Sequence, residues 1–391
     1  MLDPARRLLT ASARSAVPPF VVMDVMAAAA RLEAQGRHIV HLEVGQPAAS
    51  APATALEATR AALSSGRLGY TEALGMPSLR ARIARHYADA YGIEIAPEQV
   101  IVTTGSSAGF ILAFLALFEP GDRVAIASPG YPPYRHILTA LGCEPVLIET
   151  SAASRWEITV EALLSAHRRK ALHGVLVASP ANPTGTMIEA GALRDLIRTA
   201  EGEGMRFISD EIYHGLDYAF PAETAARLSP TAIVINSFSK YFCMTGWRIG
   251  WMVAPEPLVR PIERLQQNLA ISVPTLSQIA AEAAFEGRAE MDAVKHGYEE
   301  NRRILIEALP KAGLDKFLPV DGAFYLYADV SRFTDDSLDF ARRMLEEAGV
   351  AATPGVDFDP LHGKEFVRFS YAGSAADMRE AMERIGNWLR R

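Results

Sequence analysis

The sequence predicts an α/β protein: a large domain built on a mainly parallel seven-stranded sheet flanked by helices, then a smaller α+β domain. Three observations carry this expectation. The 391 residues exceed one typical compact domain and suffice for two. Through the middle of the chain, short apolar runs alternate with helical patterns, as they do when parallel strands are joined by crossover helices. After Pro255 the alternation gives way to long helical stretches.

In chain order, the first helix is expected at 21–33, packed onto the later domain. Apolar runs of strand length follow at 100–103, 124–127, 145–148, 174–179, 206–209, 232–236 and 249–254. Helical patterns at 108–118, 134–141 and 190–203 fall between several of them. Beyond Pro255 the expectation is helices at 256–270 and 275–309, a strand at 323–328, a helix near 337–348, a strand at 366–371 and a last helix over 375–390. The domains expected are a large one over 46–285 and a small one built from both chain ends, 1–45 and 286–391. Neither solenoid repeats nor low-complexity tracts are evident.

Composition narrows the function classes. Hydrophobic residues make up 49% and charged residues 22%, the balance of an ordinary globular protein. A net charge of −7 without long single-sign blocks gives no reason to expect nucleic acid as a partner. No apolar run approaches the roughly 18 residues that a membrane helix needs. Cys143 and Cys243 are too few and too far apart for a disulfide framework or a CxxC metal site, so no metal is expected, and they suit a reducing compartment. Residues 1–17 carry Arg6, Arg7 and Arg14 among alanines and serines, faintly like a transit peptide. Asp3 and the lack of a sustained arginine face argue for a mobile end instead, and for a cytoplasmic protein.

The chemistry concentrates at expected strand ends, where ligands gather in such sheets. In Ser237-Phe238-Ser239-Lys240, followed by Gly246-Trp247-Arg248-Ile249-Gly250, an amine stands among hydroxyls and a guanidinium between two apolar runs. Such an amine suits a ligand carbonyl once cations or desolvation lower its pKa, and the hydroxyls and Arg248 suit a phosphate dianion. Pyridoxal phosphate is the common ligand with both groups. A surface lysine on a polar turn is the plain alternative. Asn182, in Asn182-Pro183-Thr184-Gly185, has an amide free to donate from a stiffened turn. Asp210, in Asp210-Glu211-Ile212-Tyr213, suits either a helix cap or the partner of a protonated ring nitrogen, and Tyr213 returns to the same side if a helical turn begins there. Gly105-Ser106-Ser107 opens a helix, whose free amides suit a phosphate as well as an ordinary cap. Tyr131, held between prolines, could lie on a planar ring or pack in the core. Arg368, in Val367-Arg368-Phe369-Ser370, suits a carboxylate or a solvent-facing edge strand.

Taken together, these motifs and Gly322-Ala323-Phe324-Tyr325 resemble the class I/II aminotransferases, the fold-type I pyridoxal-phosphate enzymes, and within them the bacterial aspartate/aromatic subgroup. The resemblance runs from about Phe20 to the final helix. It implies that Lys240 holds pyridoxal 5'-phosphate as an aldimine and then moves the proton, and that Asp210 binds the pyridine nitrogen. Asn182 and Tyr213 would meet the ring hydroxylate, and Tyr131 would stack on the ring. Ser106, Ser107, Ser237, Ser239 and Arg248 would hold the phosphate. Tyr70, in Leu68-Gly69-Tyr70-Thr71, would reach the phosphate of a neighbouring subunit, implying a homodimer. Arg368, Asn182 and the backbone of Gly45 would take the substrate α-carboxylate. Ser107 stands where some aspartate-using relatives have a lysine, so neutral or varied amino donors are expected.

The implied reaction is ping-pong transfer of an amino group from an L-amino acid to a 2-oxo acid. A lyase, acting on a carbon–sulfur or related bond with the same cofactor, is the alternative on this scaffold. A ligand-sensing regulator with an aminotransferase-like domain is a further one, disfavoured because about 20 residues before Phe20 are too few for a helix-turn-helix.

Overall fold

The computed structural model describes residues 8–66 and 68–391. Part of the stretch 1–17, expected to be a mobile end, therefore lies outside the described residues. All seven expected strands form one sheet. They are β2 (Val100–Thr103), β3 (Arg123–Ser128), β4 (Glu144–Glu149), β5 (Gly174–Ala178), β6 (Arg206–Asp210), β7 (Ile233–Ser237) and β8 (Gly250–Val253). Their order is β2-β8-β7-β6-β5-β3-β4. Only β8 runs against its neighbours, pairing antiparallel with both β2 and β7. Both faces are covered, which is why each strand reads as an unbroken apolar run. Val100, Val102, Val175, Val177, Phe207, Val234 and Trp251 enter one core, and Ile101, Ile126, Leu176, Ile208, Ile235 and Met252 the other.

A third core holds Leu42, Phe324, Tyr325, Leu326, Phe369, Tyr371, Ile385 and Trp388. It surrounds a three-stranded antiparallel sheet in the order β11 (Thr353–Pro354), β12 (Phe366–Ser370), β9 (Tyr325–Asp329). β1 (Val40–His41) pairs in parallel with β10 (Val350–Ala351), joining the two chain ends. The helix Val21–Glu33 lies where the sequence places it, with two backbone amides at its start, Val21 and Val22, bonded to the Asp357 carboxylate at 3.2 and 3.3 Å.

Several elements depart from expectation for physical reasons. The helix expected at 108–118 begins at Gly105, whose φ of 73° turns the chain directly from strand into helix. Ser106 and Ser107 are thus in its first turn. The helix expected at 275–309 is broken into Thr275–Ala284 and Arg288–Ala308 by a 3-10 turn, Phe285–Gly287. Phe285 there is buried against Phe238 and Phe242, and a Cβ on Gly287 would overlap Pro52. The helix expected at 337–348 is α-helical only over Ser337–Arg343 and widens into a π turn at Met344–Ala348. Helices at Ala53–Ser65, Pro77–Tyr91 and Val160–Arg169 went unassigned in the sequence. The second has Pro at its start and left-handed Gly92 at its end, a legible pair of boundary signals.

Candidate active site

The carboxyl ends of β5, β6 and β7 open into a cavity of about 180 Å³ whose far wall comes from β9, β12 and the helix Val21–Glu33. Lys240 follows β7 in a turn tied by its own hydroxyls. Ser237 Oγ and Ser239 Oγ are 2.7 Å apart, and Ser237 Oγ donates to the Ile249 carbonyl at 3.0 Å. Ser239 lines the cavity, whereas the Ser237 hydroxyl serves the turn and Ser237 faces a separate cavity behind it. Lys240 Nζ reaches the Gly45 carbonyl at 2.5 Å. What the lysine exposes, it exposes to the cavity. Desolvation, then repulsion from Arg368 and Arg248, lowers its pKa to about 7.

Asp210 closes β6 and is buried. Its Oδ1 accepts the Ile212 amide at 3.0 Å and its Oδ2 accepts the phenol of Tyr134. Burial pushes its pKa up to about 6 against the pull of those donors. The segment after it is a succession of turns and not a helix, so Asp210 caps only the adjacent turn. Tyr213 still returns to the cavity. Its Oη lies 2.8 Å from Tyr325 Oη, and the Tyr325 ring lies beneath the Arg368 guanidinium, 4.3 Å away.

Arg368 is on the central strand of the small sheet, not an edge, and is 2% exposed. Its Nη1 donates to Asn182 Oδ1 at 2.9 Å, and its Nη2 donates to the Glu43 carbonyl and to Thr353 Oγ1. Its Nε is buried with no hydrogen-bond partner among the described residues. Asn182 accepts that bond from the turn after β5, so β5 and β12 meet across the site. Gly45 is required there: a Cβ would overlap the Tyr325 hydroxyl.

Arg248 sits left-handed at φ 51°, donates to the Thr245 carbonyl at 2.8 Å, and lies against Gly105 at the head of the helix that carries Ser106 and Ser107. Thr104 makes no side-chain capping bond to that helix. Two cationic subsites result, one around Arg248 with the helix start, one around Arg368 with Asn182. Tyr131 lines the cavity and packs edge-on against Phe20 and Tyr134. Tyr70 is 83% exposed and lies outside the lining.

Residues not singled out in the sequence complete the walls: Phe20, Val22, Met23, Val44, Tyr134 and Tyr325 among them. Tyr325 stood in a recognised motif, Tyr134 closes the proline-rich string of Tyr131, and Val44 directly precedes Gly45. Phe20, Val22 and Met23 carry no local signal of a site, because only the packing of the first helix brings them there.

Residues 37–385 match the family of class I and II aminotransferases. The chain is 50% identical over 380 residues to a valine–pyruvate aminotransferase of Mycobacterium tuberculosis, covering 96% of this chain and 97% of that protein. Its structure superposes on that of an aminotransferase from Mycobacterium tuberculosis with a TM-score of 0.95 at 49% identity, covering 97% and 99% of the two chains. It superposes on a Thermus thermophilus aspartate aminotransferase with maleate with a TM-score of 0.90 at 32% identity, again covering 97% and 99%.

Proposed function

The chain belongs to the class I and II aminotransferases and is a pyridoxal-phosphate-dependent enzyme; from that premise we propose that Lys240 carries the cofactor and that the donors served are amino acids with neutral side chains. The relatives above are named for transamination, which favours amino transfer over lyase chemistry.

The donor set fits the cofactor. Lys240, Arg248 and Arg368 share a cavity whose one ionisable carboxyl is Asp210, so the site is complementary to a phosphate and a carboxylate together. When bound, pyridoxal phosphate supplies a carbonyl for an amine and an electron sink for ionising the substrate Cα–H bond. Lys240, its pKa lowered to about 7, has a substantial free-amine fraction at neutral pH and can accept and return the Cα proton. Asp210 would hold positive charge at the ring nitrogen. Asn182 and Tyr213 would orient the ring oxygen, and Tyr131 would cover the ring. Ser106, Ser107, Ser239 and Arg248 would bind the phosphate, with Ser237 holding the turn. Arg368, Asn182 and Gly45 would orient the substrate carboxylate.

The placement of Lys240 in one cavity with Asp210, Arg248 and Arg368 is the observation that carries the reading, and the lowered pKa of the lysine agrees with it. Borohydride treatment of the yellow holoenzyme should fix the cofactor on the peptide containing Lys240; recovery on another lysine overturns it.

Specificity follows from the remaining wall. Phe20, Val22, Met23, Val44, Tyr131 and Ile212 are neutral, and Ser107 supplies no charge. Arg135, a possible second cation, is engaged with the Asp357 carbonyl at 2.5 Å and does not line the cavity. An unpaired second carboxylate would be desolvated at a cost of several kcal/mol. The relative named for valine supports the same preference. With a common oxo-acid acceptor, kcat/KM for valine or alanine should exceed that for aspartate by about a hundredfold, roughly 2.7 kcal/mol. A preference for aspartate would place an additional cation in the site.

The same proposal includes a homodimer, in which exposed Tyr70 serves the neighbouring site; Leu68, Leu269 and Ile271 are likewise exposed apolar side chains. It includes the division into 46–285 and 1–45 with 286–391, supported by the separate cores either side of the cavity. No described helix is long and apolar enough to cross a membrane, and both cysteines are free and buried. These support a cytoplasmic location.

A further inference from the structure

Tyr134 follows directly on the proline pair that begins the helix Pro132–Leu141, three residues after Tyr131 in sequence. The helix start points the two rings differently. Both line the cavity, but Tyr134 is the more buried, its ring edge-on to Phe110 at 5.1 Å and to Tyr131 at 5.2 Å. Its hydroxyl ends on Asp210 Oδ2, across the gap between the helix and β6. The Ile212 amide occupies Oδ1. The carboxylate is therefore gripped from two sides by donors from different elements.

That grip matters because Asp210 is otherwise poorly supported as an anion. It is buried, and among the described residues the cation named as acting on it is Lys240, which gives up part of its charge near neutral pH. A phenol in this place is a dependable donor, since its burial beside a carboxylate drives its own pKa well above the ordinary value.

We propose that Tyr134 is a positioning residue for the reaction: its phenol keeps Asp210 ionised and fixes the carboxylate plane toward the ring nitrogen. This rests on the reading of Asp210 given above. Without the phenol, the carboxylate becomes more basic and takes a larger share of the proton between itself and the ring nitrogen. The ring then carries less positive charge, draws electrons less strongly, and favours protonation at the nitrogen linking it to Lys240.

The test uses the holoenzyme, with Tyr134→Phe, Asp210→Asn and the double variant. Phenylalanine keeps the packing against Phe110 and Tyr131, so thermal unfolding should stay close to that of the parent. A charge-assisted hydrogen bond of this kind corresponds to about a 10- to 100-fold effect. Tyr134→Phe should lower kcat by that factor, leave KM for the amino donor within about threefold, and raise the midpoint pH of the cofactor's visible absorbance titration. In the Asp210→Asn background the same change should move neither that midpoint nor cofactor affinity further. An unchanged midpoint in Tyr134→Phe, or an equal shift with and without the carboxylate, overturns the role of Tyr134. If Asp210→Asn itself leaves turnover and the absorbance titration unchanged, the failure lies with the reading of Asp210.

Discussion

At the scale of single residues, Lys240 differs most from its behaviour in water. Its pKa falls from the ordinary lysine value to about 7, so the amine is cationic below that pH and free above it. Capture of pyridoxal phosphate by the apoprotein should therefore speed up as pH rises toward 7 and level off soon above it. A rate still climbing at pH 9 would mean that the lysine titrates as it does in solvent. Gly45 is the second single-residue test. A methyl group there overlaps the Tyr325 hydroxyl, which is bonded to Tyr213 and lies under Arg368. Gly45→Ala should lower kcat/KM at least about tenfold while destabilising the fold by about 1–3 kcal/mol, measured by steady-state kinetics and chemical unfolding. Polar residues in recognisable strings, such as Lys240, Asp210 and Asn182, were legible in the sequence because each ends an apolar run. Of Tyr134, only its place in the proline-rich string beside the pocket was legible; its bond to Asp210 was not, because that partner on β6 is distant in the chain.

Among the elements, the first helix is capped from far along the chain and bears directly on the site. Phe20 at its N-terminus offers no side-chain cap, and the Asp357 carboxylate, from far along the chain, takes that role. The helix carries Val22 and Met23 into the cavity wall. Asp357→Ala should remove about 1–2 kcal/mol of capping, speed amide exchange over Val21–Glu33, and raise KM for apolar donors more than it lowers kcat. A change in kcat alone would separate the helix from substrate binding. Strands were read well from sequence because both sheet faces are buried and the runs are unbroken. Two-residue pieces such as β1 and β10 have no periodicity to read. The break at Phe285–Gly287 was hidden by helix-forming residues on both sides, and contact with Pro52 supplies its reason.

For the whole molecule, the proposed sharing of sites between copies gives a clean experiment. Lys240→Ala is expected to be inactive and Tyr70→Phe impaired. After unfolding and refolding as a mixture, heterodimers would contain one site with Lys240 and an intact Tyr70 from the other copy. Activity should rise above that of either variant; no gain would mean that Tyr70 does not serve a neighbour. The parallel sheet, the later α+β portion and the general position of the site were readable from the order of motifs. Which walls close the cavity was not, because these depend on how the chain ends return. That return also sets the timing of folding. β2 has no partner until β8 is made, and β1 waits for β10, with Val40 opposite Val350. Gly45 and Arg368, which line the same cavity, come from near opposite ends of the chain. A nascent polypeptide therefore spends most of its synthesis with an unpaired strand edge and no usable site, the situation in which aggregation competes with folding. On refolding, secondary structure should recover well before cofactor fluorescence quenching does, and chains ended before β12 should depend on chaperones to remain dispersed.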